Sequence, residues 1–387
     1  MREYLKIENF GPVRSAEINE IKPFTVIIGK SATGKSTIMK VVALMRYIYK
    51  LANIRSYFHL SNIKRSPFKI DFNGLMRKNG LWSMLEPSTR IVYTVSFDNG
   101  HSYTLEYNQK LKSIPDVNVE DLVFLKGAFV SENRNAISSW LGSGIDRSGM
   151  GLGFYFDETL NLFRQATESV KECDIPYLDI RMSVSKSSNS FRQYILSPNG
   201  DNRKSFRLKE ASSGMKSSIP LEVIVDYMAR NFNFKDAYNR SVFDYLLTAD
   251  RLQDYTPAEN FAGFIPIVSV HVEEPELSLD PETQITMQAH ITDTLFHRCA
   301  PDRKCMLMYA THSPYLANHI NLLMAEWEKD KSKGIDPDIV DVLITSADGS
   351  LHSAIVYDNS NRKVVNSEFL AKEIQSMYSD YYSLRND

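Results

Sequence analysis

Apolar and polar positions alternate from the start of the chain. "YLKIENFGPVRSAEI" reads as two strands turning at Gly11-Pro12. "FTVIIG", Phe24 to Gly29, is a short continuous apolar run and predicts a buried strand. In "KSTIMKVVALMRYIYKL", Val41, Leu44, Met45 and Ile48 recur at helical spacing and predict a helix. "RIVYTVSFDNGHSYTLEY", Arg90 to Tyr107, alternates on both sides of Asn99-Gly100 and predicts a hairpin with a type I′ turn.

The pattern changes between Ser139 and Arg207. "SSWLGSGIDRSGMGLG" reads as a glycine- and serine-rich loop, "DETLNLFRQATESVKE" as a helix capped by Asp157, and "SVSKSSNS" as a flexible polar stretch. This segment is read as an insertion, dividing the chain into 1–138, 139–207 and 208–387. "SSIPLEVIVDYMARNF" predicts a further helix. "IPIVSVHVEE" and "KCMLMYATHS" predict buried strands, and "DVLITSADGSLHSAIVYD" a closing hairpin at Asp348-Gly349. There is no internal repeat and no long heptad run.

Composition adds limits. The 387 residues are 43% hydrophobic and 24% charged, with a net charge of −2, which gives no global pull toward nucleic acid or membrane. Cys173, Cys299 and Cys305 have no zinc-like spacing and read as free thiols. No apolar run reaches the roughly 18 residues that span a bilayer. A cytoplasmic protein without membrane contact is the expectation.

Chemistry enters with "GKSATGKS", which matches G-x-x-x-x-G-K-[ST] between an apolar strand and a helix. Gly29, Lys30, Ser31, Ala32, Thr33 and Gly34 are expected to curl so that backbone N–H groups face phosphates, helped by the helix N-terminus. Lys35 is expected to reach the β- and γ-phosphates, Ser36 to bind Mg²⁺, and Thr37 to touch the α-phosphate. No N-K-x-D guanine-reading element is present, so ATP is the expected nucleotide.

A phosphate loop needs carboxylates on a second strand to manage metal and attacking water. "IVSVHVEEPE" supplies Glu273 and Glu274 at a strand end that Pro275 stops. Glu273 is assigned to Mg²⁺ and Glu274 to the water. Glu276 is left open between a turn residue and a solvated neighbour. His271 reads as core.

In order, these motifs resemble the ABC-type ATPase heads of the overcoming-lysogenization-defect (OLD) group, and more distantly RecF and SMC proteins. The resemblance rests on "LKIENFGPV…FTVIIGKSATGKST", "KEASSGMKSSIPL", "VEEPELSLDPETQ" and "YATHSPYL". It implies an α/β P-loop NTPase fold: an ABC-ATPase-like head with an antiparallel β subdomain and a helical signature lobe. It further implies that Ser213 and Gly214 approach the γ-phosphate of ATP held by a second subunit. His312 would be the switch histidine, and Asp280 would lie in the D-loop segment. "FVSENRNAISSWL" stands at the Q-loop position, with Ser131, Glu132, Asn133 and Arg134 where the family has a proline-alanine-glutamate-arginine run.

OLD nucleases carry a Toprim domain after the head. "DPD", Asp336 to Asp338, matches its D-x-D formally, but the polar "EKDKSKGI" before it is no buried strand and Pro337 interrupts the pair. What remains is a resemblance to stand-alone ATPase subunits of bacterial anti-phage systems of the PARIS, Septu and abortive-infection types. It implies a homodimer or higher homo-oligomer regulating a separate effector such as a nuclease. Two other readings stay open: a RecF/SMC-like ATPase binding DNA through Lys64, Arg65, Lys69, Arg77 and Lys78, and an ATP-bound scaffold with slow turnover.

Overall fold

A computed structural model describes residues 1–141, 153–186, 192–200, 204–257, 263–366 and 368–386. Strands β1 (Arg2–Phe10) and β2 (Val13–Ile18) form the opening hairpin, β3 (Phe24–Gly29) follows, and α1 (Lys35–Leu60) leaves the glycine loop. The helix outruns its expected end at Leu51 by nine residues, because Ala52, Ile54, Tyr57 and Phe58 keep burying one face. A short helix α2 (Phe72–Lys78) leads to β4 (Leu85–Ser96), β5 (Ser102–Asn108) and β6 (Lys110–Leu111). These complete an antiparallel sheet in the order β2-β1-β4-β5-β6.

The β4–β5 turn differs from expectation. Gly100 N–H donates to Phe97 O at 3.1 Å, and among Asp98, Asn99 and Gly100 only the glycine has positive φ, at 89°. A type I′ turn needs two consecutive positive-φ residues; this is a three-residue loop with glycine in the left-handed position.

β7 (Val123–Val130) and α3 (Ile137–Trp140) precede the stretch read as an insertion. The "SSWLGSGIDRSGMGLG" loop lies mostly outside the described residues. Helix α4 (Phe154–Ser169) starts at Gly153, so Asp157 sits inside its first turn rather than capping it. Strands β8 (Glu172–Ile175), β9 (Ile180–Lys186), β10 (Arg192–Pro198) and β11 (Phe206–Arg207) make a small antiparallel sheet. The first half of "SVSKSSNS" is therefore strand: Ser183 pairs with Ile195 and Val184 with Tyr194. Its second half is outside the described residues.

The remainder alternates helix and strand: α5 (Ser213–Asp226), α6 (Phe234–Thr248), β12 (Ile265–Glu273), α7 (Pro281–Phe296), β13 (Lys304–Thr311), α8 (Pro314–Lys329), β14 (Val340–Thr345) and β15 (Leu351–Ser353). A two-stranded ribbon of β16 (Ile355–Tyr357) and β17 (Lys363–Val365), then α9 (Glu368–Asn386), follow. The core sheet runs β15-β14-β3-β13-β12-β7, parallel except at β15. β12 is buried continuously from Ile267 to Glu273, as a parallel strand covered on both faces must be.

One polar cluster fastens the two sheets. The Arg46 guanidinium on α1 donates to both carboxylate oxygens of Glu3 on β1 and, at 2.5 Å, to Ser269 Oγ on β12. Tyr93 of β4 also donates to Glu3. His271 lies within 3.3 Å of Arg46 and is buried, in keeping with its reading as core. Burial and the neighbouring cation push its pKa well below the ordinary value. The architecture is an α/β P-loop NTPase fold: a parallel core sheet with the phosphate loop after β3, an antiparallel β subdomain and a helical lobe containing α5 and α6. Among the described residues no helix is long and apolar enough to cross a membrane.

Candidate functional site

The parallel register brings three strand ends together. Ile28 pairs with Thr311, and Ala310 with Glu273, so the phosphate loop after β3, His312 after β13 and Glu274 after β12 share one edge of the sheet.

The loop itself is bent by Ala32 (φ 63°) and Gly34 (φ 96°). A side chain at Gly34 would also stand 2.8 Å from Val13 Cγ2, so the antiparallel sheet packs directly under the loop. The N–H groups of Ser31, Ala32, Thr33 and Gly34 donate to no described group. Curled, undonated amides ahead of a helix fit a polyphosphate. Thr33 hydroxyl donates to Lys30 O at 2.8 Å and lies 2.6 Å from Thr345 Oγ1. Lys35 Nζ donates to Lys30 O at 2.7 Å and is 3.5 Å from His312 Nδ1. Burial lowers the Lys35 pKa, while Glu274 and Glu276 oppose that shift. Ser36 is half-buried in the first turn of α1; Thr37 is buried, its hydroxyl 3.9 Å from Met84 Sδ.

The adjacent glutamates occupy different surroundings. Glu273 is buried, and its Oε1 is 2.8 Å from Lys40 Nζ on α1. Glu274 begins the turn with φ 45°, a left-handed conformation that a β-bearing residue rarely adopts. Its side chain is about one-third exposed, with Oε1 3.7 Å from His312 Nε2. The hydroxyl of Ser36 and these carboxylates are hard oxygen donors of the kind Mg²⁺ takes. Glu132, from the Q-loop position, is a third carboxylate nearby; burial first, then Glu273 and Glu274, raise its pKa.

Two residues whose roles the sequence leaves open are tied into this edge. Glu276 Oε1 accepts from Thr311 Oγ1 and from His312 N, each at 2.8 Å. Arg134 is fully buried and donates to the carbonyls of Glu273 (2.7 Å), Glu274 (2.6 Å), Ser217 (2.9 Å) and Ser131 (3.2 Å). Desolvation brings its pKa down to about 10. One guanidinium thus joins the end of β12, the Q-loop position and helix α5.

Ser212 caps α5 by accepting from Met215 N, which leaves Ser213 exposed in the first turn. Gly214 abuts the following turn so closely that a Cβ would stand 2.8 Å from Ser278 O. Ser217 Oγ donates to Leu277 O at 2.7 Å. No hydrogen bond or ion pair among the described residues joins Ser213 or Gly214 to the phosphate loop of the same chain. Asp280 caps α7, accepting from Glu282 N, Thr283 N and Thr283 Oγ1. Away from the site, Asp336 caps a short turn at Pro337–Ile339, and the basic residues Lys64, Arg65, Lys69, Arg77 and Lys78 are exposed, with Arg77 over the Trp82 ring and Lys78 over the Phe154 ring.

The structure therefore groups Lys35, Glu273, Glu274 and His312, and adds Lys40, Arg134 and Glu276. Lys40 carries no motif signal; only its place on α1, five residues after Lys35, hints at it.

The chain belongs to the AAA domain family, whose match runs over residues 4–216, more than half of the chain. With the phosphate loop between β3 and α1, that places it among P-loop ATPases, a class that binds ATP with Mg²⁺. No curated protein matches it. Among solved structures it is similar to an SMC head bound to the C-winged helix domain of ScpA, at 11% identity over 91% of this chain and 97% of that one, TM-score 0.39. It is also similar to a nucleotide-free ATP-binding cassette from an ABC transporter, at 12% identity over 90% and 89%, TM-score 0.29. A third is cbiO1 from Clostridium perfringens, at 12% identity over 96% and 92%, TM-score 0.28.

Proposed function

We propose that the chain hydrolyses ATP in a homodimer closed around two nucleotides, and that this switch regulates a separate effector in anti-phage defence. The observation that carries the enzymatic part is the meeting of Lys35, Glu274 and His312 at one sheet edge, beside the Ser31–Gly34 amides, which donate to no described group.

On this reading Gly29 to Thr37 hold the phosphates, and Ser36 and Glu273 would hold Mg²⁺, which would supply positive charge to the phosphates. Glu274 orients the attacking water and takes its proton, and His312 faces the γ-phosphate. Ser213 and Gly214 serve the partner's nucleotide. Ser213 is exposed at the N-terminus of α5, and buried Gly214 packs against Ser278 rather than against its own loop, which supports a site completed in trans. Residues 139–207 then form an insertion carrying the small β8–β11 sheet.

The defence role and the effector rest on the resemblance of "VEEPELSLDPETQ" and "YATHSPYL" to stand-alone defence ATPases. Glu274→Gln tests the chemistry: turnover falls by roughly 10²–10⁴-fold with ATP binding retained. Wild-type turnover in that variant rejects the assignment. For the defence role, cells expressing the chain with its genomic neighbour are challenged with phage. Protection that survives Lys35→Ala rejects a nucleotide-driven switch.

A further inference from the structure

A cavity of about 500 Å³ opens between α1, α4 and β7, the edge strand of the core sheet. Its α1 wall begins at Ala43, about 12 Å along the helix from Lys35, so it is separate from the phosphate loop. A second hollow of about 390 Å³ shares Lys50, Lys126 and Gln165 with it and extends to α6.

Lys50 from α1 and Lys126 from β7 stand where the two hollows meet. Neither ammonium has an ion pair or hydrogen bond among the described residues; Lys50 Nζ lies over the Phe124 ring at 4.3 Å and Lys126 Nζ over the Phe232 ring at 5.5 Å. Glu158 on α4 attracts both but makes no ion pair with either. Burial, and then the Lys126 charge, bring the Lys50 pKa down to about 7. Asp157 and Glu158 also line the cavity, but neither is ion-paired with Lys50 or Lys126, and two neighbouring half-buried lysines that no carboxylate contacts destabilise a fold less once an anion joins them. The rest of the wall is suited to an organic body: Phe129 and Tyr155 offer aromatic faces, and Asn161 and Gln165 offer amides. Gly127 leaves the strand edge open, since a side chain there would meet nothing within 4 Å.

We propose that this cavity binds a small organic anion, its phosphate or carboxylate between Lys50 and Lys126 and its flat body against the aromatic wall. The site is independent of ATP hydrolysis and stands or falls separately from it.

Phenyl phosphate, benzoate and benzyl alcohol are titrated by calorimetry into the full chain carrying Lys35→Ala, which removes phosphate binding at the loop. The expected result is saturable binding of at least one anion, tenfold or more weaker binding of the alcohol, and a tenfold or greater loss in Lys50→Met and Lys126→Met. Preference between phenyl phosphate and benzoate identifies the head group. In parallel, pyridoxal 5′-phosphate followed by borohydride is mapped by peptide mass spectrometry. The amine condenses with the aldehyde, releasing water, and hydride reduces the imine to a stable secondary amine. Adducts concentrated on Lys50 or Lys126 and suppressed by phenyl phosphate support the site. Equal binding of the neutral alcohol, anion binding untouched by both methionine variants, absence of saturable binding by either anion, or labelling no greater than at exposed Lys64 and Lys69 overturns it.

Discussion

Glu276 holds the backbone of His312: its Oε1 accepts the His312 amide at 2.8 Å and the neighbouring Thr311 hydroxyl at 2.8 Å. The imidazole it positions stands 3.5 Å from Lys35 Nζ and 3.7 Å from Glu274. A carboxylate in the turn after β12 thus fixes the tip of β13, and through it one wall of the proposed γ-phosphate site.

Glu276→Ala removes that acceptor, so the histidine loses its set position without losing its chemistry. Misplacement by about 1 Å is enough to cost on the order of 10²-fold in rate. The expected outcome is kcat lower by about tenfold to a hundredfold, with ATP affinity within about threefold of wild type. Glu276→Gln keeps the acceptor oxygen and recovers most of the rate. Steady-state turnover with calorimetric ATP binding checks both.

Lys40 neutralises buried Glu273 at 2.8 Å. Lys40→Met leaves that carboxylate without its cation, an expected destabilisation of about 2 kcal/mol in metal-free buffer. If Glu273 takes Mg²⁺, then Mg²⁺ with ATP supplies the missing positive charge and stabilises the variant more than the wild type. Urea unfolding of both proteins, with and without Mg–ATP, gives the comparison.

Acid sensitivity follows from buried imidazoles. Burial lowers the His319 pKa from 6.5 to about 4, and His271 shifts the same way. Between these values the unfolded chain binds a proton that the folded chain does not. The stabilisation is therefore complete above pH 6.5 and is lost as pH falls toward 4. For His319 the loss amounts to roughly 3 kcal/mol. His319→Gln, which retains a partner for the Gln288 Oε1 that His319 Nδ1 now contacts at 2.8 Å, flattens the curve. Unfolding free energies at pH 7.5, 6.5, 5.5 and 4.5 measure it.

What the sequence discloses follows the range of the interactions. The phosphate loop is local: strand, glycine turn and helix start lie within Phe24 to Lys35 and form where the pattern puts them, and only the far end of the helix runs beyond it. The β-hairpin boundaries are equally local, but the turn residue Asn99 also donates to Asp121 Oδ1 at 2.8 Å, a partner 22 residues away. The half of "SVSKSSNS" that forms the end of β9 looks like a flexible stretch because it is polar and the strand buries only Ile180 and Met182 fully. Lys40, Arg134 and Glu276 are the least legible. Their partners are 233, 139 and 36 residues away in the chain, and only the register of β12 with β13 and the packing of α1 bring them together.

Subunit complementation asks whether two subunits together complete the site. A Lys35→Ala chain, which lacks a working loop, is mixed with a Ser213→Arg chain, which blocks the signature helix. Each is expected to be inactive alone. After exchange, half of the dimers are mixed and each has one intact composite site, so turnover returns to about a quarter of wild type. A mixture as inactive as its components, although Ser213→Arg still binds ATP, rules out a site shared between subunits. So does wild-type turnover by Ser213→Arg alone.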